Sequence, residues 1–296
     1  MTGFIAALPM YDWPEVRAET DAQWARLRDS LRRHGIDAPA ALTRQNTLYG
    51  GLDLMVLWRD PALLFAQTCW GPMDLGLAEH VQVIGQPDYS DCEGGRGELY
   101  SSVVVMRGPA IFLADAEHLA AGLPPLLTPP RKGEEDLEAL FRSPLRGGAR
   151  GGATADGSAE DVPAPADGRA VLPLELLRGK RFAFNGEDSM SGVLALEQDL
   201  AALGEGLALF SERQETGGHR ASLRAVAEGR ADVAAADCRS WALFRRLEPE
   251  VAGTLRAVGW TARRKGLPYI CARTITPETV AILRVELASA GMLAAG

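Results

Sequence analysis

Two serines and a glycine, Ser189, Ser191 and Gly192, sit at the end of the segment NGEDSMSG, residues 185–192. Before it comes RGKRFAF, which alternates like a strand; after it comes VLALEQDLAAL, which has helical spacing. Helix capping explains part of this: Ser189 or Asp188 would satisfy one free backbone N–H, at about 1 kcal/mol. Capping does not explain Ser191 and Gly192, because alanine or glutamate would favour a first turn more. Small residues there leave backbone N–H groups open and add hydroxyl donors at the positive end of the helix dipole. That is the chemistry of anion capture, with Asp188 as the opposing charge.

A second segment has the same character. TGGHRAS gathers Thr216, Gly217, Gly218, His219 and Ser222 at the start of another helix. A lone histidine is more often structural, but the flanking glycines and hydroxyls make a ligand contact an even alternative. Asp237 ends the run ADVAAAD, where it either faces a ligand or caps the helix that begins CRSW. Tyr11 and Tyr100 fall where the chain crosses between segments, and Ser101 and Ser102 offer hydroxyls to a cleft or a strand edge. Trp58, Trp70 and Trp241 read as core or cleft wall.

These residues must be held by something, and the elements point to an α/β fold. FIAAL, HVQVIGQ, YSSVVVMR, RFAF, ADVAAAD and TLRAVGWT read as strands. LDLMVLW reads as a strand or buried segment, and DPALLFAQ as a short helix. Helices are expected from Trp13 to His34, at HRASLRAVAEG, CRSWALFRRLEP and PETVAILRVELASAG. Alternation of strands and helices implies mainly parallel sheets with helices on both faces, and ligands beyond the carboxyl ends of strands. The stretch at about 124–170 is rich in Gly, Ala, Pro and Asp; it reads as a flexible insertion with one short helix near Glu134 to Arg142.

The 296 residues suffice for two domains, and 47% hydrophobic content suits a globular protein. A net charge of −8 argues against nucleic acid but not against a small anion held by backbone amides. There is no membrane-spanning apolar run. The start MTGFIAALPMYDWPEV has no secretory-signal pattern, so the chain reads as cytoplasmic or as already processed. Cys69, Cys92, Cys238 and Cys271 lack metal-ligand spacing and read as free buried thiols; a Cys69–Cys92 bridge would need an oxidising compartment. No metal and no cofactor is expected.

Taken in order, LPMYD, QTCWGP, PDYSDCEGG with YSSVVV, LRGKRFAFNGEDSMSG and TGGHRASLRAVAEGRADVAAAD resemble the phosphate/phosphonate family of ABC-transporter substrate-binding proteins. The resemblance spans most of the chain apart from roughly residues 108–170. It implies a two-lobed type II periplasmic-binding fold, a hinge of crossing strands and one ligand in the cleft. The lobes would be 1–98 with 252–296, and 99–251 carrying the insertion. By position, the resemblance puts Ser189, Ser191, the N–H of Gly192 and His219 on the ligand's oxygens, and Asp237 where aminophosphonate binders place an acid. Tyr100 matches an aromatic of the crossing strand and Tyr11 matches more loosely; Thr216 and Ser101 complete the candidate set. Met190 departs from the family by interrupting a run of hydroxyls, and a second acidic ligand for an amine has no counterpart.

The implied function is capture of a small oxyanion (phosphonate, phosphate or a related solute) for an ABC permease, by a monomer, in the periplasm. The alternatives are a cytosolic enzyme of cofactor-precursor synthesis, with His219 and Asp237 as an acid/base pair, and a cytosolic metabolite sensor.

Overall fold

The computed structural model describes residues 3–44, 53–108 and 160–294. The first half opens with strand β1 (Ile5–Ala7), helix α1 (Arg17–Arg33), helix α2 (Leu54–Trp58), strand β2 (Leu63–Gln67), helix α3 (Trp70–Asp74) and strand β3 (Val81–Gly85). Strands β4 (Leu99–Tyr100) and β5 (Ser102–Arg107) follow, then α4 (Leu174–Leu177), β6 (Arg181–Phe184), a π-turn at Met190–Leu194, α5 (Ala195–Ala202) and β7 (Glu212–Glu215). The chain continues through α6 (His219–Ala227), β8 (Val233–Asp237), α7 (Cys238–Leu247), α8 (Pro249–Ala252) and β9 (Leu255–Trp260). It closes with β10 (Arg264–Lys265), β11 (Tyr269–Ala272) and α9 (Pro277–Ser289).

Two sheets form two lobes. The first has the order β1-β2-β11-β3 and the second β7-β6-β8-β5-β9. A short antiparallel ribbon of β4 with β10, pairing Tyr100 with Arg264 and Leu99 with Lys265, is the crossing between them. The sheets are mixed rather than mainly parallel. β1 runs parallel to β2, and β6 parallel to β7 and β8, as helix-linked strands must. β11 is antiparallel to β2 and β3, and β5 to β8 and β9. Both arrive straight from the crossing ribbon, with no helical crossover to dictate their direction.

Burial explains the strand patterns. In the second sheet Val103, Val105, Ala234 and Ala236 pack in one core, while Val104, Val233, Ala235 and Val258 pack in another. Both faces are covered, so ADVAAAD needs no polar alternation. In the first lobe Trp24, Leu27 and Leu31 of α1 are buried, and Trp24 stacks on Phe65 of β2 at 6.0 Å. Gly35 ends α1 with φ +79°.

Four further expectations change. LDLMVLW contains helix α2, not a strand, because the Asp53 side chain accepts from the N–H groups of Met55 and Val56 and caps it. The segment expected as a short helix is instead β2, whose five residues are all buried in the sheet. The second lobe extends beyond 251, since β9 pairs along β5 from Val103–Trp260 to Arg107–Leu255; in our reading the return to the first lobe follows Trp260. The end of the expected insertion, residues 160–170, is packed: Val162 N–H donates to the Ala257 carbonyl at 2.8 Å, and Trp260 Nε1 donates to the Val162 carbonyl at 2.7 Å. The rest of that stretch, including the helix expected at 134–142, lies outside the described residues. Among the described residues, no helix is long and apolar enough to cross a membrane.

Candidate functional site

A cavity of about 540 Å³ lies between the lobes. Met10, Asp12, Trp13, Arg17, Arg44, Trp58 and Cys69 line it from the first lobe; Asn185, Ser189, Ser191, Gly217, Gly218, His219, Arg220 and Asp237 line it from the second. The two glycine- and serine-rich segments therefore meet at one cleft, at the carboxyl ends of β6 and β7. Asp237 joins them from the end of β8.

At the centre, Ser191 Oγ lies 2.9 Å from His219 Nε2, and the same nitrogen lies 3.4 Å from Asp237 Oδ2. Nδ1 of His219 is buried without a hydrogen-bond partner. Burial holds the His219 pKa below its ordinary value, with the Asp237 charge and, more weakly, the Ala235 carbonyl opposing it. The neutral ring carries one proton: on Nε2 it faces Ser191 and Asp237, on Nδ1 it faces the side of the Ala235 carbonyl. With the proton on Nε2, Ser191 Oγ accepts from the ring, and its own O–H is left to donate to the cleft or to the Tyr100 hydroxyl behind it.

Asp237 is heavily engaged. Oδ1 accepts from Ser240 N–H at 2.8 Å and from Tyr11 O–H at 3.0 Å, and Oδ2 accepts from Ser240 O–H at 2.6 Å. It caps α7, as one of the two sequence readings had it, and it also holds His219 in place. Tyr11 approaches Asp237 from the first lobe and stands 3.4 Å from the hydroxyl of Tyr89. Burial, then the Asp237 charge, pushes the Tyr11 hydroxyl well above the ordinary tyrosine value. Tyr11 is thus an inter-lobe contact and does not line the cavity.

The helix tips differ. Ser189 is an N-cap: its Oγ accepts from Gly192 N–H at 3.1 Å. The Gly192 amide is therefore already used, which corrects its assignment as an open donor. Glycine suits the position for another reason: a Cβ would lie 1.7 Å from Asn185 Oδ1 and would force that side chain to move. Helix α6 has no side-chain cap, and Gly217, Gly218 and His219 bring its N-terminal end to the cavity. Its first amides are the ones open to an anion.

Three other candidates fall elsewhere. Thr216 Oγ1 bonds to the carbonyls of Phe184 and Gly218 and to Ser222 Oγ, stapling its own loop. Ser101 uses its backbone to join Gly94 and Cys238, and its side chain does not line the cavity. Tyr100 is buried behind Ser191 with its hydroxyl unpaired, and burial raises its pKa strongly. Met190 donates its N–H to Cys69 Sγ at 3.3 Å across the lobes, so Cys69 is free and packed against the second lobe rather than bridged to Cys92. Burial raises the Cys69 pKa.

Sequence reasoning missed the charged rim. Arg220 pairs with Glu15 at 2.8 Å, contacts Glu248, and lies 4.9 Å from the Trp13 ring centroid. Arg44 bonds to Asp12 at 3.0 Å and to Asp21 at 3.1 Å, and Arg17 bonds to Asp12 at 3.2 Å. Every arginine lining the cavity is matched by a carboxylate, so the cleft gains its anion character from dipoles and hydroxyls. No periodicity marks these residues; only their position beside His219 and Tyr11 hints at them.

Two mixed sheets, a crossing ribbon and a polar cleft between them define a two-lobed solute-binding protein. A family model described as "ABC transporter, phosphonate, periplasmic substrate-binding protein" matches residues 111–293. The chain belongs to that phosphonate family of ABC-transporter substrate-binding proteins. The match also runs through residues 111–170, where the sequence motifs had lapsed. Among solved structures, PhnD1 from Prochlorococcus marinus in complex with methylphosphonate is similar, with 14% identity and a TM-score of 0.57; the match covers 96% of this chain and 83% of that one. A binding-protein component of an ABC phosphonate transporter from Pseudomonas aeruginosa aligns with 13% identity and a TM-score of 0.53, covering 96% of this chain and 73% of that one. No curated protein sequence matches the chain.

Proposed function

We propose that this protein captures a small phosphonate or related oxyanion between its lobes and presents it to an ABC permease on the periplasmic side of the membrane. The observation that carries the reading is the convergence of Ser191, His219 and the uncapped end of α6 on one inter-lobe cavity. The anion would receive the Ser191 O–H and the first amides of α6. Hydrogen bonds to a charged group contribute about 1.5–3 kcal/mol each, more where closure excludes water.

The state of Asp237 narrows the ligand class. Its oxygens already accept from Tyr11 and Ser240, and one of them lies 3.4 Å from His219 Nε2. An ammonium at Asp237 would have to displace these donors; of the other carboxylates lining the cavity, Asp12 is paired with Arg17 and Arg44, Asp53 caps α2, and Asp188 has no basic partner among the described residues. We infer that Asp237 itself does not serve as an amine ligand.

The same geometry is not that of a serine–histidine–aspartate relay. A serine–histidine–aspartate relay needs the serine and the carboxylate on different ring nitrogens; here both face Nε2. The test is calorimetry with methylphosphonate, 2-aminoethylphosphonate and inorganic phosphate, followed by mass spectrometry of the recovered solute. Binding of methylphosphonate and its release unaltered supports the reading. Absence of binding to all three, or a chemically changed solute, ends it.

A further inference from the structure

Three of the four cysteines lie outside the ligand cavity, and two of these, Cys92 and Cys238, share one cluster. Cys92 lies in the turn that precedes β4, and Cys238 is the first residue of α7. Both belong to one buried cluster with Tyr89, Tyr100 and Trp241. Ser101 links the two segments: its N–H donates to the carbonyl of Gly94, two residues after Cys92, at 3.0 Å, and its own carbonyl accepts from Cys238 N–H at 3.1 Å. Their neighbours are tied as well. Arg239 Nη2 lies 3.0 Å from Asp91 Oδ1, and that oxygen lies 3.4 Å from Cys92 Sγ. The Arg239 guanidinium packs over the Tyr89 ring at 4.6 Å, which fixes the turn against the helix. Cys69 and Cys271 sit in other clusters.

We propose that Cys92 and Cys238 form a redox-active thiol pair that closes to a disulfide under oxidising conditions, stapling the 88–97 turn to the start of α7. The site is one of covalent modification and does not depend on which solute the cleft takes.

The two thiols perturb each other in opposite directions. Contact with Cys238 lowers the Cys92 pKa, and contact with Cys92, then burial, raises that of Cys238. Cys92 is also the less buried of the two, at 8% exposure against 1%. It is therefore the attacking thiol, since the thiolate is the nucleophile. With a small disulfide such as oxidised glutathione as the oxidant, Cys92 gives its proton to solvent and its sulfur bonds to one glutathione sulfur. The other glutathione leaves as thiolate and takes up a proton. Cys238, deprotonated in turn, attacks the Cys92 sulfur and expels the second glutathione. Two protein thiols lose two electrons, and one disulfide becomes two thiols.

Folded full-length protein is treated with oxidised glutathione, alkylated in denaturant and mapped by mass spectrometry without reduction. The expected result is a loss of about 2 Da, two protected cysteines, a Cys92–Cys238 peptide and no retained glutathione. Cys69 and Cys271 should be alkylated in full. Cys238→Ser should instead hold one glutathione on Cys92, and Cys92→Ser should leave Cys238 unprotected. Four free thiols in the treated wild type, glutathione retained on its Cys92, or a Cys69–Cys92 peptide would overturn the proposal. Because the wild-type map stands alone, a variant that fails to fold does not blunt the test.

Discussion

Gly71 of α3 and Asp188 of the NGEDSMSG segment touch across the cleft so closely that a Cβ on Gly71 would fall 1.7 Å from the Asp188 carbonyl oxygen. The atom in the way is backbone, so it cannot swing aside as a side-chain end would. Together with Cys69–Met190, Tyr11–Asp237 and Glu15–Arg220, this contact fixes the lobes in a closed arrangement. Gly71→Ala should hold the lobes apart here. Overpacking costs about 1–3 kcal/mol, so methylphosphonate affinity should fall about 5- to 150-fold. Small-angle scattering should show a larger radius of gyration. Unchanged affinity and unchanged radius would mean that closure does not depend on this contact.

Ser191→Ala removes the hydroxyl that His219 orients into the cavity. A lost hydrogen bond to a charged ligand corresponds to roughly 10- to 150-fold weaker binding. His219→Ala should weaken binding comparably, with circular dichroism unchanged for both. Calorimetry returning wild-type affinity for either variant would remove that residue from the site.

His219 also predicts a pH dependence. Its folded pKa lies below the ordinary value of 6.5 because it is buried, so the unfolded chain takes up a proton that the native ring refuses. The contribution is complete above about pH 6.5 and is lost as pH falls from there through the lowered folded value. The melting temperature of the wild type should therefore drop more steeply between about pH 7 and pH 5 than that of His219→Gln. Parallel curves for the two proteins would show that the ring titrates freely.

Gly192→Ala tests the close approach of Asn185. Its new methyl would meet Asn185 Oδ1 at 1.7 Å and Ser189 Oγ at 3.1 Å. A destabilisation of about 1–3 kcal/mol is expected in urea titration. In an Asn185→Ala background the same change should cost clearly less, because the obstructing amide is gone. Equal costs in both backgrounds would assign the requirement for glycine to something else.

The amino-acid order alone carried the segments that matter and the family. Helix α1, the strands with apolar runs and the two polar turns were readable because they rest on local chemistry: caps, glycines and the 3.6-residue period. The same locality misled at α2 and β2, two adjacent apolar stretches whose assignments were exchanged. There the Asp53 cap and the central place of Leu63–Gln67 in the sheet decided, and neither is a matter of periodicity. Strand β7, ERQE, is exposed throughout and has no apolar signal; it exists because β6 offers an edge.

Residue roles were decided further still from the sequence. Ser189 and Ser191 are two positions apart and equally small, yet one caps its own helix while the other meets His219. Gly192 sits directly against the Asn185 side chain, and Asp237 accepts from Tyr11 of the opposite lobe. Composition and spacing supplied the right donors and acceptors. Which of them are consumed within the protein, and which remain open to a solute, depends on partners distant in the chain, because a hydrogen-bonding group can be spent on whichever neighbour folding brings to it.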